Sequence, residues 1–260
     1  TDVLVCNQGV SLPLTLEELD MKDVRFEIDV NLVGTLNLVK ASLPGMKKAA
    51  AQDGKPRSIA FTSSPAGQVG IYAYATYSAT NFALRGVAEA LQMELINDNI
   101  HLSLILPGDT DTPLAAQALK VRPHIANLIA GDTGFMKAED VAHKALNGIK
   151  SGNFVINITP IGVITCLATA GFSPPNSCLM AFAEVMTAGL MRFVALCYLS
   201  KWYKTVHKHQ MKVKGTQQSL LHICTHILDV HFNKQSKRTL KLVRLVVPNM
   251  RIHLLTLFMT

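Results

Sequence analysis

The chain has 260 residues, enough for one sizeable domain with an additional segment, and its mean hydropathy of +0.25 is high for a water-soluble domain. The net charge of +7 is unevenly distributed: residues 201–260 contain 11 Lys or Arg and one acid, which leaves 14 basic and 17 acidic residues in 1–200. A basic region beside an apolar one is more typical of a membrane surface than of a nucleic-acid binder. We find no nucleic-acid-binding motif with interleaved aromatic residues, so no nucleic-acid partner is predicted.

The cysteine and histidine residues form neither a disulfide framework nor a complete metal site. Five cysteines contain no CxxC pair, which favours a reducing compartment. His222, Cys224, His226 and His231 approach metal-ligand spacing but lack the second Cys pair of a closed zinc site, so no metal is predicted. Because the first residue is Thr1 rather than Met, we expect the chain to begin inside a longer protein.

Short apolar runs alternate with long amphipathic helices between residues 1 and 156. The predicted strands are 3–6, 57–63, 101–106 and 153–156, and the predicted helices are 21–50, 75–97 and 137–150. Strands that alternate with helices of more than ten residues indicate α/β units and a parallel sheet. The sequence therefore predicts an α/β, Rossmann-like domain over residues 1–156.

Two apolar segments follow, at 154–172 and 178–200, and each has about the length of a membrane span. Pro160 interrupts the first segment. Glu184 and Arg192 interrupt the second, and their spacing of eight residues lets them pair or face an interface. We predict a membrane-associated helical region over 157–204, with a hydrophobic cap on a soluble domain as the alternative, and a basic, irregular tail over 205–260.

Ser64 and Tyr77 lie thirteen residues apart, at a predicted strand end and a predicted helix start. Reduction of a carbonyl by a nicotinamide needs a hydride donor and a proton donor. A Tyr hydroxyl can serve as the proton donor when a neighbouring cation lowers its pKa, and a Ser hydroxyl can hold the carbonyl oxygen. Taken singly, Ser64 is typical of a turn and Tyr77 of packing, whereas Asn31 is typical of a backbone bridge.

Taken together, these residues resemble the active-site pattern of the short-chain dehydrogenase/reductase family. The turn Asn7-Gln8-Gly9 is similar to the family's Asn-Asn-Ala-Gly turn, and Pro107-Gly108 with Thr112 is similar to its Pro-Gly-x-x-x-Thr segment. The resemblance implies NADPH as the cofactor and implies three catalytic residues, Tyr77, Ser64 and Asn31. It implies that the cofactor contacts are Asn7, Gly9, Asn81, Pro107, Gly108 and Thr112.

Two departures from the family pattern bear on activity. Asn81 occupies the position of the family's Lys, which binds the nicotinamide ribose and lowers the Tyr pKa. We therefore predict strongly reduced activity. The family's Thr-Gly-x-x-x-Gly-x-Gly turn, which holds the pyrophosphate, has no match in this sequence. We expect the chain to start at the family's fourth strand, to leave residues 3–6 as an exposed sheet edge, and to bind NADPH weakly.

Within the family, the segment 63–95 and the turn PGDTDTP are similar to reductases of the endoplasmic reticulum membrane that convert 3-ketosphinganine to sphinganine with NADPH. The resemblance implies a long-chain 3-keto sphingoid base as substrate, a membrane-bound chain with its catalytic part facing the cytosol, and a homo-oligomer formed through helices 21–50 and 75–97. It fades near Lys214, so residues 215–260 are expected to be foreign to the family. The alternative is an inactive truncated homologue that associates with a full-length reductase.

Overall fold

The computed structural model of the chain contains a parallel β-sheet. It describes residues 1–130 and 134–232. Side chains are described for 1–130, for 134–213 and at 215. Within these residues, the strands β1 to β4 lie in sequential order. Neighbouring strands run parallel, with Val5 opposite Ala60 and Phe61 opposite Leu104. The predicted α/β parallel sheet is confirmed. The strand bounds are β1 Val3–Cys6, β2 Arg57–Thr62, β3 Ile100–Leu106 and β4 Val155–Asn157.

Helices connect each strand to the next, and two more follow the last strand. A π-helical turn separates the first two helices. Residues 21–53 form α1 and α2, separated by the π-helical turn Asp29–Val33, in which the Gly34 N–H donates to the Asp29 carbonyl oxygen. This break falls inside the single helix predicted for 21–50. The helix bounds are α1 Met21–Ile28, α2 Gly34–Asp53, α3 Ala75–Glu94, α4 Pro113–Val121, α5 His124–Ala130, α6 Ala138–Lys150, α7 Pro160–Thr169 and α8 Cys178–Phe232.

Apolar side chains cover both faces of the sheet at β3 and β4. One face packs against α2, α3 and α7 through a cluster that includes Met46, Phe61 and Leu104. The other face packs against α6 through a second cluster that includes Ile149 and Ile156. Helices on both faces are the expected arrangement for a parallel sheet.

Strand β1 is less well covered than the other strands. Among the described residues it pairs only with β2, and Val3 and Val5 are 47% and 46% exposed, whereas Cys6 is buried. Parallel strands are usually buried on both faces. This agrees with the exposed sheet edge predicted for residues 3–6.

The first predicted apolar segment, 154–172, is not one continuous helix. Phe154, Val155 and Ile156 are buried in the sheet, and a new helix, α7, begins at Pro160. Proline is favoured at the first helical position, and the Thr159 hydroxyl accepts the Gly162 N–H at 3.1 Å to cap the helix. The cap at Thr159 therefore starts a new helix within this apolar run, although the run has the length of a membrane span.

Helix α8 carries the second apolar segment and continues well beyond it. By length and composition alone, the helical residues 178–213 could cross a membrane. Their most apolar 18-residue segment has a mean hydropathy of 1.6, and none of its residues is buried. The irregular tail predicted from residue 205 is wrong for 205–232, which continue α8 without a proline to end it. Residues 233–260 lie outside the described residues. The chain divides into two units, 1–206 and 207–260.

Candidate active site

The predicted site residues come from the carboxyl ends of three neighbouring strands. Asn7 follows β1, Ser64 follows β2, and Pro107 follows β3. Because the strands are parallel, these ends lie at the same edge of the sheet. Ligands bind at this edge in open α/β folds.

Ser64 begins a short turn that brings it to Tyr77. Its backbone is extended, and its hydroxyl oxygen accepts the Ala66 N–H at 3.2 Å, which caps the 3₁₀ turn Pro65–Gly67. The Ser64 side chain also lies close enough to the Tyr77 hydroxyl to lower the pKa of that phenol. The structure thus brings together the two hydroxyls that are separated by thirteen residues in the sequence.

The surroundings of Tyr77 favour its protonated form. Burial raises its pKa, and hydrogen bonding to Ser64 and Asn81 opposes that rise only in part. The carboxylates of Glu27 and Asp109 raise the pKa further. At neutral pH, Tyr77 is therefore a neutral phenol that can donate a proton.

Asn81 lies inside the protein, where both ends of its amide are engaged. Its side chain is buried, its Nδ2 donates to the Tyr77 carbonyl oxygen at 2.8 Å, and its Oδ1 accepts from the Ser63 hydroxyl at 3.0 Å. A Cβ at Gly67 would lie 2.7 Å from Ser63 Oγ and 2.9 Å from the Asn81 carbonyl oxygen. The predicted contact between Asn81 and the cofactor stays a prediction.

Asn31 holds the loop after β1 against α3. This buried side chain accepts the Val10 N–H at 2.8 Å, and its Nδ2 donates to the Val10 carbonyl oxygen at 2.9 Å and to Thr80 Oγ1 at 3.3 Å. Thr80 Oγ1 in turn donates to the Tyr77 carbonyl oxygen at 2.9 Å. Asn31 is thus connected to the backbone of Tyr77 rather than to its phenol.

The remaining predicted cofactor residues line the same edge. Asn7 and Gly9 are exposed, and Pro107, Gly108 and Thr112 are half-buried. The Thr112 hydroxyl accepts the Ala115 N–H at 3.2 Å and caps α4. The contact of these groups with the nicotinamide end of a cofactor stays a prediction, and the described residues contain no glycine-rich turn for its phosphates.

Tyr74 and Arg122 lie beside the predicted site, although neither was predicted as a site residue from the sequence. The Tyr74 ring meets the Tyr77 ring edge-on, with 5.8 Å between centroids, and the Arg122 guanidinium lies 5.7 Å from the Tyr74 centroid. Burial raises the pKa of Tyr74, and Arg122 opposes that rise. The spacing of Tyr74 three residues before Tyr77 predicts a shared helix face. No pattern predicts the position of Arg122.

Glu27 is a third residue that the sequence alone did not identify. Its carboxylate is fully buried, Oε1 accepts the Leu12 N–H at 3.3 Å, and Oε2 has no hydrogen-bond partner. Burial raises its pKa to about 7. Its position four residues before Asn31, a spacing that places two residues on one helix face, is the signal that would have found it.

The sequence of the chain is similar to those of known proteins over most of its length. The sequence profile described as short chain dehydrogenase matches residues 1–122. Two 3-dehydrosphinganine reductases of Arabidopsis thaliana, TSC10B and TSC10A, are 45% and 49% identical to the chain over 221 and 207 residues. These matches cover 85% and 80% of this chain. The chain belongs to the short-chain dehydrogenase/reductase family.

More distant members of the family match over a similar span. The 3-ketodihydrosphingosine reductase of Bos taurus is 34% identical over 211 residues, which cover 81% of this chain and 62% of the bovine protein. The chain spans 66% and 63% of the length of the two Arabidopsis reductases. A short chain dehydrogenase from Burkholderia cenocepacia, solved in complex with NADP, matches with a TM-score of 0.54 and 22% identity over 65% of this chain and 64% of its own. That likeness shows the shared fold.

Proposed function

We propose that the site reduces a long-chain 3-keto sphingoid base, 3-ketosphinganine, to sphinganine with NADPH, at a rate limited by Asn81. The observation that carries the proposal is the proximity of the Ser64 and Tyr77 hydroxyls at the carboxyl edge of the sheet. It is supported by the relatives, which are named for reduction of this class of substrate.

The mechanism follows from the chemistry of these two hydroxyls. Ser64 donates a hydrogen bond to the ketone oxygen and orients it towards Tyr77. NADPH, when bound, supplies the hydride to the carbonyl carbon. Tyr77 donates its proton to the oxygen as negative charge develops there. The resulting phenolate is left beside Asn81, which carries no positive charge, and near the carboxylates of Glu27 and Asp109. This poorly stabilised phenolate makes turnover slow.

Asn7, Gly9, Pro107, Gly108 and Thr112 would hold the nicotinamide end of NADPH. All five lie on or just after the carboxyl ends of β1 and β3. Without a glycine-rich turn in the sequence, the cofactor phosphates lack their usual helix N-terminus. We therefore propose weak NADPH binding, which titration of the purified chain with NADPH would measure.

Helix α8 is the proposed membrane segment, with the catalytic part on the cytosolic side of the endoplasmic reticulum membrane. The apolar part of this helix is largely exposed in the structure. It is followed on the same helix by Lys201, Trp202, Tyr203 and Lys204, residue types that favour the cytosolic membrane–water interface. Flotation of the chain with liposomes, compared with a variant carrying Leu190→Lys and Phe193→Lys, tests this location. The proposal predicts flotation of the unmodified chain only.

A second candidate function is association with a full-length reductase. Large apolar side chains are exposed on the helices 21–53 and 75–94, including Phe26, Val33, Leu36 and Phe82. Exposed apolar surface of this kind favours an interface with another subunit. Co-purification without cofactor or substrate would support this role, as would loss of co-purification in a Phe26→Ser/Phe82→Ser variant.

The reductase proposal is tested by NADPH oxidation in the presence of 3-ketosphinganine in detergent micelles. We expect slow turnover that Tyr77→Phe abolishes and Ser64→Ala reduces at least about tenfold. Tyr203→Phe changes an exposed tyrosine of α8 and serves as the matched control. Equal turnover in the Tyr77→Phe and Tyr203→Phe variants would contradict the proposal.

A further inference from the structure

A cavity lies between α3, the ends of β3 and β4, and the beginning of α8. It encloses about 440 Å³ between protein atoms, part of which is open to solvent, and its enclosed part holds little more than one water-sized group. Apolar side chains such as Leu104, Leu106 and Met180 form much of its wall. All of the cavity residues belong to the first unit of the chain.

The polar part of the wall is rich in hydrogen-bond acceptors that lack donors. Gln68 is 6% exposed and its Oε1 has no hydrogen-bond partner. Asn157 Oδ1, on β4, is also buried and without a partner. The Cys166 thiol lies close to both amides, but a thiol is only a weak donor. Both residues line the cavity, so a donor group bound there could satisfy these two buried amide oxygens.

Glu184 adds a negative charge to this wall. It projects from α8 into the cavity lining and makes no salt bridge among the described residues. The sequence allowed Glu184 and Arg192 either to pair or to face an interface; they form no salt bridge in the described structure, where Arg192 is exposed. The carboxylate thus remains available to a ligand.

The cation in the same wall is already neutralised. Arg85 Nε donates to Glu89 Oε1 at 2.9 Å, and Arg85 Nη2 donates to the carbonyl oxygens of Thr169 and Ala170 at 2.9 and 2.7 Å. Ser173 donates to the same Glu89 oxygen. The wall consequently presents two unsatisfied acceptors and one unpaired carboxylate, which together favour a cationic donor.

We propose that this cavity binds the ammonium head of a long-chain amine, with Glu184, Gln68 and Asn157 as its acceptors. An ammonium group is about the size of the enclosed space and has three donors to match the three acceptor side chains. The alkyl chain has an apolar surface to follow, because Leu179, Phe182 and Val185 are exposed on the turns of α8 around Glu184.

The identity of the amine rests on the proposed function. A 3-keto sphingoid base carries its amine on the carbon next to the ketone. Neither Ser64 nor Tyr77 belongs to the cavity wall, so a substrate whose ketone is held by these two hydroxyls cannot place its neighbouring amine there. The cavity would therefore bind the amino group of the product, sphinganine, at a place separate from the reacting carbon.

The test is equilibrium binding of sphinganine to the full chain in mixed micelles, without cofactor. An 18-carbon 1,3-diol that lacks the amine serves as the comparison ligand. We expect the chain to prefer sphinganine, and Glu184→Gln to weaken sphinganine binding about tenfold while leaving diol binding unchanged. Glu139→Gln, which removes an exposed acid of α6, is the matched control and should bind like the unmodified chain.

The outcomes separate this inference from the reductase proposal. Equal binding of sphinganine and the diol, or unchanged sphinganine binding in Glu184→Gln, would overturn the ammonium site. Selective sphinganine binding that Glu184→Gln weakens, in a chain that never oxidises NADPH, would uphold the site and overturn the reductase activity.

Discussion

The side-chain amide of Asn81 donates a hydrogen bond to the carbonyl oxygen of Tyr77 at 2.8 Å, one helical turn earlier. The same amide accepts a hydrogen bond from Ser63, so Asn81 connects the end of β2 to the start of α3. The residue that replaces the family's lysine therefore supports the position of Tyr77 without supplying a charge. This separates two roles, positioning and activation, that can be tested individually.

Asn81→Lys should increase turnover by at least about tenfold. A cation one helical turn from Tyr77 would lower the pKa of its phenol and stabilise the phenolate formed during reduction. Asn81→Met, which has no charge and a similar length, should not increase turnover. Initial rates of NADPH oxidation with 3-ketosphinganine provide the measurement. A rate increase in Asn81→Met as large as in Asn81→Lys would show that charge is not what the site lacks.

Gly67→Ala should destabilise the turn that carries Ser64. The added Cβ would lie 2.7 Å from Ser63 Oγ and 2.9 Å from the Asn81 carbonyl oxygen, so the backbone of α3 would have to move. We expect the free energy of unfolding to fall by about 1–3 kcal/mol. Gly70→Ala is the control, because a Cβ there meets nothing within 4 Å. Urea denaturation of both variants checks the difference, and equal stability would rule out the close packing at Gly67.

Asn31→Ala should also destabilise the protein, by about 2 kcal/mol, because it leaves the half-buried Val10 N–H and carbonyl groups without their partner. Asn37→Ala changes an exposed asparagine of α2 and should have little effect. Thermal unfolding of the two variants under identical conditions makes the comparison. If Asn31→Ala unfolds at the same temperature as Asn37→Ala, the described network does not stabilise the loop after β1.

Glu27 should make stability depend on pH. Its pKa is raised in the folded state from 4.5 to about 7, so its protonated form is favoured by folding. The corresponding stability is fully present below about pH 4.5 and is lost as the pH rises through about 7. Glu27→Gln should therefore be more stable than the unmodified chain at pH 8, by about 2–3 kcal/mol, and close to it at pH 4.5.

Denaturant unfolding at several pH values checks this prediction, and Glu139→Gln, an exposed substitution, supplies the control. The glutamine side chain in the Glu27→Gln variant retains an oxygen that can accept the Leu12 N–H, so the variant isolates the charge. A stability difference that does not change between pH 4.5 and 8 would show that Glu27 is not the titrating group.

Local sequence patterns were sufficient to predict the sheet. Apolar runs bounded by turns indicated the four strands, a signal that depends on hydrophobic period and turn residues. Ser64 and Tyr77 were singled out by their resemblance to the family pattern, and the structure brings their hydroxyls together. Their catalytic role stays a prediction.

The remaining features depend on contacts between distant parts of the chain. Asn81 bonds to Ser63, eighteen residues away, and Arg122 reaches Tyr74 from beyond α4, so neither partnership has a local pattern. The division of 154–172 into β4 and α7 depends on burial of Phe154 and its neighbours in the sheet. The π-helical turn before Gly34 likewise has no hydrophobic period of its own.

Isotope transfer tests the proposed reductase activity. The full chain is incubated in micelles with 3-ketosphinganine and NADPH that carries deuterium at the transferred position, and the product is measured by mass spectrometry. We expect sphinganine with one deuterium at the former ketone carbon from the unmodified chain and from Tyr203→Phe, more of it from Asn81→Lys, and none from Tyr77→Phe. Absence of deuterated product from both the unmodified chain and Asn81→Lys, or an equal yield from Tyr77→Phe, would contradict it.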